Sequence, residues 1–218
     1  MSYLYLDIEV VPNLTDEQIV EIEKSIEPPG NYKKPESIQK WKDDQGKSVL
    51  KEKVHKACFN ELTGKIICIG AAQDGPVKMF NDNERDLLGE FSEFLFEEIE
   101  SENGRMPTLV GHNAIAFDIP YIWRRCKVNN IILPFGYPGP SDMKPWMTTV
   151  EDTMVLWSGA RDKISLDKLA SGLGFESHKD KIDGSMVWSL YQEGKLKEIY
   201  DYCAMDVELT RSVHKRLK

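Results

Sequence analysis

The 218-residue chain lacks any apolar run of the roughly 20 residues that a membrane-spanning helix needs. Met1 to Tyr3 lead directly into a strand-like segment, without the basic and then apolar pattern of a secretory signal. The four cysteines form no Cys-x-x-Cys pair and show no disulfide-framework spacing. These absences predict a cytoplasmic protein with reduced cysteines and no membrane partner.

Positive charge is also scarce, with 28 Lys and Arg against 36 Asp and Glu, a net charge of −8. Such a balance disfavours broad attraction to a polyanion such as duplex nucleic acid. Only four histidines occur, and they are scattered, so the sequence offers no cluster of the soft ligands that zinc prefers. The length and the 41% hydrophobic content fit one globular domain spanning residues 1–218.

Acidic residues are abundant, so their setting matters more than their number. An acid-x-acid triplet should occur by chance roughly six times at this composition. Asp7 and Glu9, however, lie inside the apolar, strand-like run Tyr3 to Val11, which stops at Pro12. Side chains two residues apart on a strand point to the same face. Both carboxylates are therefore expected on one side of a sheet.

Two later segments supply further acids. Asp118 lies at the start of a helix predicted from Phe117 to Lys127, entered from the apolar strand Thr108 to Val110. Tyr202 and Asp206 are four residues apart in a second predicted helix and so share a face. Three separate elements can therefore direct acids toward one point. Four such carboxylates would repel one another without cations, and hard oxygen ligands favour Mg²⁺ or Mn²⁺.

Taken in order, these motifs resemble the DEDD 3′–5′ exonucleases of the ribonuclease H-like fold. That family carries Asp-x-Glu, Asn-x-x-x-(Phe/Tyr)-Asp and a third motif, either Tyr-x-x-x-Asp or His-x-x-x-x-Asp. The chain has Asp7-x-Glu9, Asn113 to Asp118, and Tyr202 to Asp206, with Asp201 where the second version needs histidine. It therefore resembles the tyrosine branch. The segment Val150 to Leu156, followed by Ser165 to Ala170, is also similar to the stretch before the third motif in exonuclease domains of family B DNA polymerases.

The resemblance implies a mechanism with two Mg²⁺ or Mn²⁺ ions held by Asp7, Glu9, Asp118 and Asp206, with Tyr202 orienting the attacking water. It implies removal of nucleoside 5′-monophosphates from the 3′ end of a single strand, DNA rather than RNA. The alternatives are an RNA-trimming enzyme of the ribonuclease D kind and a nucleic-acid-binding module. A proofreading subunit acting beside a separate polymerase or repair partner is a third.

Substrate contacts are expected near the motifs. The residues concerned are Ile8, Val10, His112, Asn113 and Phe117. For some of them a structural role competes with substrate contact. His112 and Asn113 could instead form a local turn, and Phe117 could belong to the core. Asp152 could support the metal cluster, although capping of a helix is the stronger expectation.

The predicted fold is α/β and ribonuclease H-like, with a central mixed sheet that includes an antiparallel meander and is flanked by helices. A hairpin is expected around Asp74-Gly75, pairing Lys65 to Ala72 with Pro76 to Phe80. Apolar spacing predicts long helices from Asn83 to Glu100 and from Lys195 to Leu217.

Two segments resemble additions. Pro28 to Lys56 has eight lysines against four acids, which predicts a flexible insertion. It would be either a solvated surface or an arm over the nucleic acid, with Tyr32 and Trp41 stacking on bases. Leu133 to Met147 has four prolines and is expected to form a rigid loop.

Overall fold

A computed structural model describes residues 2–144, 149–159, 161–176 and 182–218. The chain divides into two compact units, one of Met1–Glu9 with Ile66–Lys218 and the other of Val10–Lys65. The single domain spanning residues 1–218 stays a prediction. Within the described ranges, every helix is too short or too polar to cross a bilayer.

The secondary structure alternates strands and helices. The strands are β1 Tyr3–Pro12, β2 Gly64–Ala72, β3 Lys78–Phe80, β4 Thr108–Gly111 and β5 Val150–Asp152. The α-helices are α1 Asp16–Lys24, α2 Pro35–Trp41, α3 Lys47–Lys56, α4 Glu84–Ser101, α5 Asp118–Asn129, α6 Thr153–Ser158, α7 Leu166–Gly172, α8 Val187–Gln192 and α9 Leu196–Leu217. The predicted starts of α4, α5 and α9 are each one residue early.

The strands form a mixed sheet in the order β3-β2-β1-β4-β5. β2 and β3 pair antiparallel around the predicted turn, with Ile69 opposite Phe80. β4 lies parallel to β1 and to β5, with Leu4 opposite Leu109. The predicted α/β class and mixed sheet are confirmed. Since β1 is central, both of its faces are covered and its side chains Leu4, Tyr5 and Leu6 are at most 2% exposed.

Helix α9 is held against the sheet by polar contacts near its C-terminal end. His214 is buried, and its ring nitrogens bond the Tyr5 hydroxyl at 3.1 Å and the Glu151 carboxylate at 2.7 Å. One turn earlier, Arg211 donates to the carbonyls of Gln73 and Gly75 at 2.9 and 2.7 Å. These bonds tie α9 to β1, β5 and the β2–β3 turn. They thereby fix the helix that carries Tyr202 and Asp206.

Helix α5 is held by a buried ion pair. Arg125 is 4% exposed, and its Nε donates to Glu84 Oε1 at 2.8 Å. The same oxygen accepts the main-chain N–H of Ile66 at 2.8 Å, and Asn129 donates to the other carboxylate oxygen at 3.1 Å. A carboxylate that is removed from water is stable only when donors satisfy its oxygens. Glu84 on α4 takes these donors from α5 and β2, and it thereby joins the three elements.

The unit Val10–Lys65 is mainly helical. Helix α1 begins with a capping box, in which the Thr15 side chain accepts from the Gln18 N–H and the Gln18 side chain accepts from the Thr15 N–H. A π-helical stretch, Lys42–Gly46, joins α2 to α3. Trp41 is 6% exposed and packs near Tyr32, so the expectation that Trp41 stacks on a base is wrong.

The expected proline-rich loop at residues 133–147 is described as far as Lys144. A short 3-10 turn at Pro140–Asp142 begins with the Asp142 carboxylate accepting the Gly139 N–H at 3.0 Å. Pro145 to Met147 lie outside the described residues. Tyr137, also in this loop, is 7% exposed, and its hydroxyl donates to the Ile119 carbonyl at 3.3 Å. The described part of the loop is thus ordered by these contacts, and its rigidity stays a prediction.

We expect Arg125→Met to lower the free energy of unfolding by about 3 to 5 kcal/mol, because it leaves Glu84 buried without its partner. Urea unfolding followed by circular dichroism measures the change. The matched control is Lys197→Met, which breaks an exposed ion pair with Asp201 and should cost less than about 0.5 kcal/mol. Similar losses in the two variants would contradict a structural role for the buried pair.

Candidate active site

Strand β1 brings the first two acids to the site. Asp7 is half-buried, and its Oδ2 atom is shielded from solvent without a hydrogen-bond partner. Glu9, two residues later, is 8% exposed. A shielded carboxylate oxygen without a donor is costly unless a cation or another donor approaches it. Asp7 therefore has a free ligand position.

Asp118 joins β1 through the main chain. It is the first residue of α5 and is 5% exposed, where the aligned N–H groups of the helix favour a negative charge. Its Oδ1 accepts the N–H of Ile8 at 3.2 Å. Ile8 is itself buried, so the structure assigns its N–H to holding Asp118 and its side chain to the core.

Helix α9 supplies the third motif. Tyr202 and Asp206 lie one turn apart and are 4% and 9% exposed. The Tyr202 hydroxyl hydrogen-bonds the Asp206 carboxylate. Burial, followed by the charges of Asp206 and Glu9, holds the pKa of the Tyr202 phenol well above its usual value. Tyr202 is therefore a protonated donor at neutral pH.

The acids lie close enough to perturb one another. Burial, and then the charges of Asp118 and Asp206, raise the pKa of Asp7 well above its usual value. Burial and then the charge of Asp7 do the same for Glu9. Burial raises the pKa of Asp118 to about 7, with further contributions from the charges of Asp152 and Asp206. Three elements thus bring the four predicted acids to one electrostatic centre, which is typical of functional sites.

An open cleft of about 360 Å³ reaches two of these acids, Asp7 and Asp206. His112, Asn113 and Met154 also line it, together with residues 163–166. Lys163, which no sequence motif indicated, adds a positive charge to the cleft beside these two carboxylates. Phe117 is not among the described residues that line this cleft. It is half-buried, and its ring centroid lies 5.2 Å from the ring centroid of Tyr121.

Asp152 organises the loop that leads to Asp118. It is 2% exposed and accepts the N–H groups of Asn113 and Ile115 at 2.9 and 3.1 Å. It also caps α6 by accepting the Met154 N–H at 2.9 Å. Asn113 adopts a left-handed backbone, φ 64°, and its Oδ1 is shielded without a hydrogen-bond partner. The sequence predicted that Asp152 caps a helix. Its hydrogen bonds to the Asn113 and Ile115 N–H groups could not be predicted from the sequence, because they join segments about 40 residues apart.

His112 has a positioning role in the structure. Its Nδ1 lies 2.9 Å from Thr153 Oγ1, and its Nε2 lies 2.8 Å from the Ile164 carbonyl. Both ring nitrogens are thus engaged, and the imidazole connects three segments that border the cleft. Val10 belongs to the unit Val10–Lys65, and its contact with substrate stays a prediction.

The donor set suits a hard divalent cation, because the four carboxylates provide oxygen ligands and Asp7 Oδ2 lacks a partner. Among the described residues, no three His, Cys, Asp or Glu side chains form a ready-made ligand group. The acids are thus gathered in one place, but their side-chain arrangement is not that of a finished coordination shell.

Comparison with curated protein sequences gives no match. Among solved structures, the chain is similar to the family B DNA polymerase from the hyperthermophilic archaeon Pyrobaculum calidifontis, with 17% sequence identity and a TM-score of 0.59. The similarity covers 100% of this chain and 24% of that polymerase, so the chain spans about a quarter of its length. At this identity the likeness establishes the fold.

A protein family described as "Predicted 3'-5' exonuclease related to the exonuclease domain of PolB" matches residues 65–218. The matched range contains the second and third motifs, with Asp118, Tyr202 and Asp206. The β1 acids Asp7 and Glu9 precede it, and the structure brings them to the same centre. Since the match covers well over half of the sequence, the chain belongs to this family of predicted 3′–5′ exonucleases.

Proposed function

We propose that the protein removes nucleoside 5′-monophosphates from the 3′ end of single-stranded DNA in a metal-dependent hydrolysis of the tyrosine-branch type. The single observation that carries the proposal is the buried group of acids with mutually raised pKa values at an open cleft. Carboxylates so placed would destabilise the fold unless they served a charged ligand.

Two Mg²⁺ or Mn²⁺ ions would be held by the four acids, Asp7, Glu9, Asp118 and Asp206. Bound there, such ions supply a nucleophilic water at neutral pH and stabilise the charge on the leaving oxygen. The free Asp7 Oδ2 supports this assignment. Binding of the ions requires the acid side chains to turn into a shared shell, since the described residues contain no ready-made ligand group.

The chain's own residues would orient the reactants. Tyr202 is a hydrogen-bond donor at neutral pH, so it would align the attacking water as a donor and not as a base. Asn113 Oδ1 is without a hydrogen-bond partner and would accept a hydrogen from the terminal nucleotide. Lys163 at the cleft would lie near a phosphate.

DNA is proposed over RNA because the family is described by its relation to PolB and the similar structure is a DNA polymerase. RNA trimming is the second candidate, since the same acids would serve it. A proofreading or repair role would place the protein beside a separate polymerase. An exonuclease must accept every base at the strand end. Contacts to sugars, phosphates and base faces bind a strand of any sequence, so we expect no sequence-specific contacts to base edges.

We expect hydrolysis of 5′-labelled single-stranded DNA to proceed from the 3′ end with Mg²⁺ or Mn²⁺ and to stop in excess chelator. A closed circle should resist, because it has no 3′ end. An RNA strand of the same sequence is the parallel substrate, and faster cleavage of RNA would favour the second candidate. Undiminished activity in chelator, or cleavage of the circle, would contradict the proposed reaction.

Tyr202→Phe keeps the ring but removes the hydroxyl. We expect turnover to fall by about 30- to 1000-fold with little change in strand affinity, because a positioning hydrogen bond acting in the transition state contributes on the order of 2 to 4 kcal/mol. Tyr200→Phe, two residues away on α9, is the matched control and should keep its activity. Loss of strand binding with intact turnover would instead make Tyr202 a packing residue.

The raised pKa of Asp118, about 7, predicts how stability depends on pH without metal. Between the unfolded pKa of 3.8 and about 7 the folded state binds more protons, so the free energy of unfolding falls as pH rises through this window. Urea unfolding in chelator at pH 5.5 and pH 8 measures the slope. Asp118→Asn should make the slope shallower, with Asp7 and Glu9 supplying the remainder, whereas Asp201→Asn on the exposed face of α9 should leave it unchanged. Equal slopes in the wild type and Asp118→Asn would refute the assignment.

A further inference from the structure

The helical unit Val10–Lys65 contains a groove of about 630 Å³ of its own. One wall is the C-terminal part of α1, with Lys24, and the other is the π-helical stretch and the start of α3, with Lys42 and Lys47. Lys42 and Gly46 are four residues apart and Lys47 directly follows Gly46, so this wall is formed where the π-helical stretch runs into α3. None of the three lysines of this groove belongs to a catalytic motif.

The three groove lysines are available to an anion. In the part of the chain that the structure describes, no carboxylate lies within salt-bridge distance of any of them. The lining has two acids, Glu23 and Asp43, against the three lysines, so it carries one net positive charge. Asp43 accepts a hydrogen bond from Gln39 Nε2 at 2.8 Å. The segment Pro28–Lys56 that forms one wall carries eight lysines against four acids.

The groove also has an apolar part. Val20 on α1 lines it and is 43% exposed, whereas Ile26, at 4% exposed, lies beneath the surface. Apolar surface next to cationic side chains suits a ligand that combines a base or sugar with a phosphate. A simple inorganic anion would use only the lysines.

Gly46 lines the groove, and a side chain at this position would have space. A Cβ at that position would have only the Lys42 Cβ within 4 Å, at 3.9 Å. The π-helical stretch itself is a form that is frequent at functional sites. Because a side chain at position 46 has space and does not meet the core, its charge can be changed without disturbing the packing.

We propose that this groove binds a single-stranded nucleic acid, with Lys24, Lys42 and Lys47 on its phosphates. The inference deepens the proposed function, on which it rests for the choice of ligand. The physical need is clear, because a protein with a net charge of −8 attracts a strand only through a local basic surface. The unit Val10–Lys65 has ten lysines against ten acids, so the whole negative excess belongs to the other unit.

The first experiment compares two triple variants of equal charge. Lys24→Ser/Lys42→Ser/Lys47→Ser changes the groove, whereas Lys33→Ser/Lys34→Ser/Lys51→Ser removes three exposed lysines of the same unit outside its lining. Binding of a fluorescein-labelled 20-residue oligodeoxythymidine is measured by anisotropy in chelator over a range of salt concentrations. The groove variant should bind about 10-fold or more weakly, with its salt slope reduced by about 2 for three lost phosphate contacts. The control variant should change far less.

The second experiment varies one position. Gly46→Glu should weaken strand binding, Gly46→Gln should stay near the wild type, and Gly46→Lys should strengthen it. Circular dichroism should show all three folded, since helix interiors favour each of these residues over glycine. Equal losses in the two triple variants, or binding that ignores the charge at position 46, would overturn the groove as the site.

Release of nucleoside 5′-monophosphate with Mg²⁺, at saturating strand, separates this inference from the proposed function. If the groove triple variant binds the strand as tightly as the wild type and still hydrolyses it, the groove is not the binding site, and the proposed nuclease function stands. Charge-dependent binding by a protein that never hydrolyses DNA would support the groove and overturn the nuclease.

Discussion

Mutual repulsion among buried carboxylates is the constraint on which the rest of the structure depends. Asp7, Glu9 and Asp118 all have raised pKa values, first from burial and then from neighbouring acids. Only a few donors offset this, notably the Ile8 N–H on Asp118 and the Tyr202 hydroxyl on Asp206. The surrounding fold must therefore hold the acids together by other means.

Polar contacts of residues outside the acid group hold the elements that carry the acids. His214 and Arg211 fix α9 to β1, β5 and the β2–β3 turn. Glu84 and Arg125 fix α5 to α4 and β2. Asp152 holds the loop before α5 through the Asn113 and Ile115 N–H groups. Each contact joins elements distant in sequence, so the position of every acid depends on the assembled sheet.

The proposed chemistry and the proposed binding are assigned to different units. The sheet unit carries the acids and the whole net negative charge, whereas the helical unit is neutral overall with its lysines concentrated in one segment. The family match begins at residue 65, after the helical unit. A nuclease site that concentrates carboxylates repels the strand it cleaves, and a basic groove elsewhere in the chain would offset that repulsion.

The sequence by itself determined the fold class, the β2–β3 hairpin, helices α4, α5 and α9, and the acids of the candidate site. These depend on local patterns, namely apolar spacing, turn residues and short motifs, which a single segment carries whole. Only the tertiary structure decided the separate helical unit, the burial of Trp41, the two contacts that occupy the His112 ring and the hold of Asp152 on the Asn113 loop. Each of these depends on which distant segments meet, and the free energy of such contacts comes from burial and hydrogen bonds that exist only once the chain has packed.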